Sequence, residues 1–156
     1  CCEPFTKASF FRIAGTWIMR GSLQNGHFVE EAIATAHRQQ TWFQASPTSD
    51  TIAGYHRIFA ETRFFLWHNG QNHDIPIPQL QPGESLMETV VTFTPDTVIF
   101  ALTINQRGNV RTAVYTINHH GKILQQTNTP INKPTLQLPY GSIHHSPTQI
   151  WYHPSK

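Results

Sequence analysis

The chain contains ten histidines, and two of them have a spacing that could bring their rings together. His68 and His73 flank an Asn-Gly turn, so we expect them on neighbouring strands of one hairpin. Zinc usually takes four ligands, and the nearby sequence supplies no further one for this pair. Two other pairs are adjacent in sequence, His119-His120 and His144-His145. Neighbours on a strand point to opposite faces, so the sequence predicts no metal site.

Glu61 and Arg63 form the most suggestive charged pair. At a spacing of two residues on a strand, their side chains share one face. If that face lines a cavity, the pair could anchor a carboxylate or propionate, whereas outward-facing charges are simply solvated, which is the commoner arrangement. No Gly-x-Ser-x-Gly or His-Glu-x-x-His motif is present. The sequence therefore favours a protein without catalytic activity.

Aromatic residues make up 12% of the chain and give the better indication of a ligand pocket. On predicted central strands most of them should pack a core. Trp42 and Tyr55 lie near predicted strand ends, where the mouth of a pocket would be, and such residues combine an apolar body with a polar group. The predicted ligand-binding residues are Trp42, Tyr55, Glu61, Arg63, Trp67 and Tyr115.

Composition limits the class of protein. A chain of 156 residues is long enough for one domain with its own core, and we expect a single domain over residues 1–156. Charged residues are only 13% of the chain, about half the usual share. The net charge is +2 without a cluster of lysines and arginines, so nucleic acid is not an expected partner. No apolar run approaches the roughly 20 residues of a membrane helix.

Turn signals and β-prone segments dominate the sequence after residue 15. The turn signals are Asn25-Gly26, Asn69-Gly70, Arg107-Gly108-Asn109 and His120-Gly121. The flanking strands are predicted over Thr16–Leu23, His27–Ala36, Thr62–Trp67, Thr89–Thr94, Thr97–Asn105, Val110–Asn118 and Lys122–Thr127. Proline-rich stretches at Ile75–Pro82 and Pro130–Pro139 are expected to be edges or loops, since proline cannot donate to a strand ladder.

These elements predict an all-β fold with one short helix at the start. Phe5–Ile13 is expected to be helical, with Thr6 as its cap and Gly15 as its end. About eight to ten antiparallel strands would follow. Closure into an up-and-down barrel would remove their free edges and leave an interior that packs solid or holds one small ligand.

Gly15-Thr16-Trp17 resembles the Gly-x-Trp motif of the lipocalin and calycin superfamily. The resemblance implies a lipocalin-like barrel in which Gly15 permits a sharp turn and Trp17 is buried at the barrel floor beneath the helix. The start also resembles the bilin lyases of that superfamily, although Arg20 follows Trp17 by three residues instead of four. The final stretch, Gly141–Lys156, lacks the arginine that stacks on the floor tryptophan in lipocalins.

The sequence begins Cys1-Cys2, which is how a mature bacterial lipoprotein would start, although an excised fragment could start there too. In the first case the protein is exported and a lipidated Cys1 tethers it to a membrane surface. Three functions remain open. The first is non-enzymatic binding of a small apolar ligand. The second is a protein-interaction domain with a filled core, and the third is a chromophore lyase that carries a bilin.

Overall fold

The computed structural model describes residues 9–37, 40–130, 135–138, 141–145 and 150–154. These residues form fourteen strands and no helix, so the all-β class is confirmed and no described helix could span a membrane. The chain divides into two compact units, Cys1–Ile77 and Pro78–Lys156, which are described separately. The division falls in the first proline-rich stretch, and the single domain expected over residues 1–156 stays a prediction.

Unit 1 holds two antiparallel sheets built from consecutive hairpins. Sheet 1 has the order β1-β2-β3, with β1 at Ser9–Ala14, β2 at Trp17–Gln24 and β3 at His27–Thr35. Sheet 2 has the order β4-β5-β6-β7, with β4 at Thr41–Ala45, β5 at Thr51–Ile58, β6 at Glu61–His68 and β7 at Gln71–Ile75.

The predicted N-terminal helix is wrong where the structure describes it. Ser9–Ala14 is a strand whose residues pair with β2, from Ser9 opposite Ser22 to Ala14 opposite Trp17. Aromatic and β-branched residues suit a pleated surface, and a hairpin lets this short segment form a ladder that an isolated helix of its length would lack. Gly15 does make a sharp turn, with a φ of 60°, but it joins two strands. The residues before Ser9 lie outside the described part of the chain.

The predicted hairpin turns are confirmed. Asn25-Gly26 and Asn69-Gly70 have positive φ at both central positions, as a type I′ turn requires, and Arg107 and Gly108 share this geometry. The tip of the β5–β6 hairpin is different, because Phe59 adopts a φ of 57° at a position that favours glycine. Its side chain is fully exposed, so burial of the ring does not offset the strained backbone.

Sheet 2 is covered on both faces at its centre. Four consecutive residues are buried in β5, Thr51 to Gly54, and four in β6, Phe64 to Trp67. Alternate residues of a strand point to opposite faces, so such a run means that both faces are shielded from water. One of these faces packs on sheet 1 through a cluster that contains Ile18, Ile52, Phe65 and Trp67.

Unit 2 repeats the hairpin plan. Sheet 3 has the order β11-β10-β9-β8, with β8 at Glu84–Phe93, β9 at Thr97–Gln106, β10 at Asn109–Asn118 and β11 at Ile123–Pro130. Sheet 4 has the order β12-β13-β14, with β12 at Thr135–Leu138, β13 at Gly141–His145 and β14 at Ile150–Pro154. Residues 98–104 of β9 and 112–117 of β10 are buried in unbroken runs, so both faces of these strands are covered. Among the described residues no sheet closes into the expected barrel.

Gly54 provides a test of how closely β4 and β5 approach each other. A Cβ at Gly54 would collide with the carbonyl oxygen of Trp42 and lie 2.5 Å from the Cα of Phe43, both of which are backbone atoms. A Cβ at Gly21 would instead meet the Phe28 ring at 2.6 Å, and that ring is largely exposed and can turn away. We expect Gly54→Ala to lower the free energy of unfolding by about 2–3 kcal/mol and Gly21→Ala by about 1 kcal/mol or less.

Urea unfolding of both variants measures this difference. Equal midpoints for Gly54→Ala and the unmodified protein would contradict the close approach of the two strands.

Candidate interaction surface

The structure does not gather the predicted ligand-binding residues of unit 1 into one site. Trp42 and Tyr55 are cross-strand partners on one face of sheet 2, with ring centroids 5.4 Å apart. Glu61, Arg63 and Trp67 share the other face, because they alternate along β6 with Phe64, which lies opposite Tyr55. Trp67 is buried in the core against sheet 1.

Glu61 and Arg63 are solvated charges, the commoner of the two arrangements considered. Their side chains are 64% and 61% exposed, and they bind each other at 3.3 Å. An exposed pair of this kind contributes little to stability and leaves no buried charge that a ligand would need to neutralise.

Tyr115 lies in the core of unit 2, close to a charged cluster. Arg111 donates to both carboxylate oxygens of Glu84, at 3.0 and 3.2 Å, and to the side-chain oxygen of Asn128 at 2.5 Å. The two bonds from Arg111 to Glu84, with a further one from the backbone N–H of Gln81, lower the pKa of Glu84. Burial raises the pKa of Tyr115. The cluster is thus internally satisfied, and its donors point at its own acceptors.

A second polar cluster joins β4 to β5 around His56. The Thr41 hydroxyl accepts the backbone N–H of His37 at 2.7 Å and shares a second hydrogen bond with Nδ1 of His56, 2.8 Å away. The His56 ring stacks on Phe65 with centroids 4.5 Å apart and meets the edge of His37 at 5.1 Å. Burial, followed by the nearby His37, lowers the pKa of His56, while Asp74 opposes the shift. Burial of His56 therefore disfavours the charged form of its imidazole.

Trp17 is not buried, contrary to the expectation from the Gly-x-Trp resemblance. Its side chain is 51% exposed, because β2 turns Ile18 rather than Trp17 toward sheet 2. One residue of register decides which set of side chains a strand buries. The predicted role of Trp17 as a floor plug is therefore wrong. Cys1, the predicted lipid attachment site, lies outside the described residues.

The side chains on the same side as Trp17 form a continuous apolar surface. Cross-strand pairing puts Phe10 opposite Gly21 and Leu23 opposite Phe28, and alternation along β2 puts Trp17, Met19, Gly21 and Leu23 on one face. Phe10, Trp17, Leu23 and Phe28 are 51–63% exposed, and Met19 between them is partly exposed. We call this surface the outer apolar face, and define it by Phe10, Trp17, Met19, Leu23 and Phe28.

The polarity of β2 is the reverse of what an antiparallel sheet in water normally shows. Such a sheet buries its apolar side chains and turns polar ones to solvent. Here the outward positions of β2 are Trp17, Met19, Gly21 and Leu23. The inward positions after the buried Ile18 are polar, namely Arg20, Ser22 and, at the exposed end of the strand, Gln24. The inward arginine is held by Asp50 at 2.8 Å, and Ser22 is buried.

One ion pair crosses the outer apolar face. Arg12 on β1 donates to both carboxylate oxygens of Glu30 on β3, at 2.6 and 2.8 Å. These hydrogen bonds lower the pKa of Glu30 and raise that of Arg12. Because each charge is matched by the other, this face of the described strands presents no net charge. The sequence held a signal for this surface in the alternation of β2 from Met19 to Gln24, whereas the Gly-x-Trp resemblance implied that Trp17 lies in the interior.

We expect the stability of the chain to fall as the pH drops from about 7.5 to about 5.5. The lowered pKa of His56 means that the folded state binds its proton less tightly than the unfolded chain does, so acid favours unfolding. Burial also lowers the pKa of His119, which contributes in the same direction. Urea unfolding across this range should show a shallower pH dependence for His56→Gln and shallower still for His56→Gln combined with His119→Gln. An unchanged slope in the double variant would contradict this assignment.

Comparison with known proteins adds no further assignment. No family model matches the chain, and neither a curated protein nor a solved structure matches it.

Proposed function

We propose that this chain is a non-enzymatic interaction protein that binds its partner through the outer apolar face. The single observation that carries the proposal is the reversed polarity of β2. With Trp17 and Leu23 turned to solvent and Ile18 buried, β2 carries apolar side chains on both faces, as in a sheet that is covered on both sides. The partner then covers the outer side of sheet 1, opposite sheet 2.

The size of the exposed surface fits this role. An aromatic side chain can bury roughly 150–250 Å². Four side chains of the outer apolar face are a little over half exposed, namely Phe10, Trp17, Leu23 and Phe28. Together they present roughly 400 Å² of apolar surface on one sheet. Apolar patches of a few hundred Å² on soluble proteins are often functional sites.

The chemistry of this face favours apolar contact over catalysis or ion binding. Its charged side chains in the described strands, Arg12 and Glu30, bind each other through two hydrogen bonds. The two bonds engage both carboxylate oxygens and two of the five N–H donors of the guanidinium group, so each charge of this face is paired with the other. Burial of Trp17 or Phe28 against a partner is the stronger contribution, because aromatic side chains dominate interface energies.

Buried aromatic side chains at the centres of sheets 2 and 3 favour this function over the binding of a small apolar ligand. Phe64, Phe65 and Phe100 are less than 2% exposed and occupy the centres of their sheets. Such packing is typical of a solid core. A ligand pocket in a closed lipocalin-like barrel, a bilin lyase activity, export, and a lipid tether at Cys1 stay predictions from the sequence.

Site-specific photo-cross-linking tests the proposal in living cells of the native host. A benzophenone amino acid at Leu23 lies within the outer apolar face, and the same residue at Phe59 is a matched control at an exposed position outside it. We expect a discrete protein adduct from position 23 and none of the same mass from position 59. Absence of any adduct from position 23, or a mass increase of small-molecule size there, would contradict a protein-binding face.

A further inference from the structure

We propose that the partner of the outer apolar face is the same face of a second copy of this chain. The inference rests on the proposed function, because it names the occupant of that surface. Two identical sheets would pack face to face across a two-fold axis and form a sandwich with a shared apolar layer. Each copy would supply Trp17, Leu23 and Phe28 to that layer.

Charge favours an identical partner. A face that carried unpaired charge of one sign would repel its own copy, but here Arg12 and Glu30 neutralise each other within one chain. Each copy also offers one group of each sign, so the guanidinium of one copy can approach the carboxylate of the other. The whole chain has a net charge of only +2, and weakly charged proteins associate with themselves more readily than strongly charged ones.

Sheet geometry supports the same partner. Sheet 1 has three strands among the described residues, with β1 and β3 at its edges. Along β2, apolar side chains point to both faces of the sheet, as in a sheet with another layer on each side. Sheet 2 already provides the inner layer through Ile18, and the outer layer needs a surface that is largely apolar and carries no net charge. The outer apolar face itself meets that description.

The area sets the strength of the dimer. Two copies would bury roughly 800 Å² of large apolar side chains, which is below the ~1,200 Å² at which stable interfaces begin. We therefore expect a reversible dimer with a dissociation constant in the micromolar range, and monomers at nanomolar concentration.

Sedimentation velocity over a concentration series tests this with the full chain. The unmodified protein should pass from monomer to dimer as its concentration rises through the micromolar range. Leu23→Lys puts a charge in the apolar layer and brings like charges together across the axis, so it should weaken the dimer at least tenfold. Phe59→Lys makes the same kind of change at an exposed position outside the face and should leave the dissociation constant unchanged. Urea unfolding of each variant verifies that its fold is retained.

The outcomes separate this inference from the proposed function. If the protein stays monomeric throughout the series, the inference that the partner is a second copy is overturned. A dimer that Phe59→Lys weakens and Leu23→Lys does not would overturn it too. A cross-link at position 23 to a different protein, together with a monomeric chain, would leave the proposed function standing and assign the face to that protein. If the chain stays monomeric and position 23 gives no cross-link, both the second copy and the proposed function are overturned.

Discussion

The ion pair between Arg20 and Asp50 holds the inner face of β2 against the loop that joins β4 to β5. Side chains alternate along a strand, so the residue that points inward at one position determines the direction of all the others. With Arg20 and Ile18 turned toward sheet 2, Trp17 and Leu23 must point to solvent. The outer apolar face is therefore a consequence of two long-range contacts on the other side of β2, the packing of Ile18 against sheet 2 and the ion pair between residues thirty positions apart.

This arrangement divides the apolar side chains of sheet 1 between two surfaces. Full burial of one large aliphatic side chain stabilises a fold by about 1.5–3 kcal/mol, and Ile18 provides this contribution to the core of unit 1. The larger rings of Trp17 and Phe28 provide little of it in the isolated chain, because more than half of each is in water. Their contribution becomes available when a second surface covers the sheet. Stability of the monomer and affinity for a partner thus depend on different faces of the same three strands.

Local signals in the sequence were sufficient for the turns and for seven of the fourteen described strands, but not for the direction of the side chains. Asn25-Gly26 and Asn69-Gly70 require positive φ, a property of the residues themselves, and both turns occur where expected. The segment before Gly15 was mistaken for a helix because a short aromatic run has no clear period, and its pairing with β2 decided the outcome. The direction of Trp17 depends on a contact with a distant loop, which a motif of three residues cannot specify. The candidate surface could therefore not be located from the sequence, although the alternation that builds it was visible there.

The direction of the Trp17 side chain is the central claim, and fluorine NMR of the protein labelled with 5-fluorotryptophan tests it most directly. The chain has four tryptophans, and Trp17→Phe and Trp67→Phe variants assign the two relevant signals. In dilute solution the Trp17 signal should show the solvent isotope shift of an exposed ring, while Trp67, which is 3% exposed, should show none. With increasing concentration the Trp17 signal alone should lose that shift as a second copy covers the ring. A Trp17 signal as protected as that of Trp67 in the dilute monomer would contradict the account.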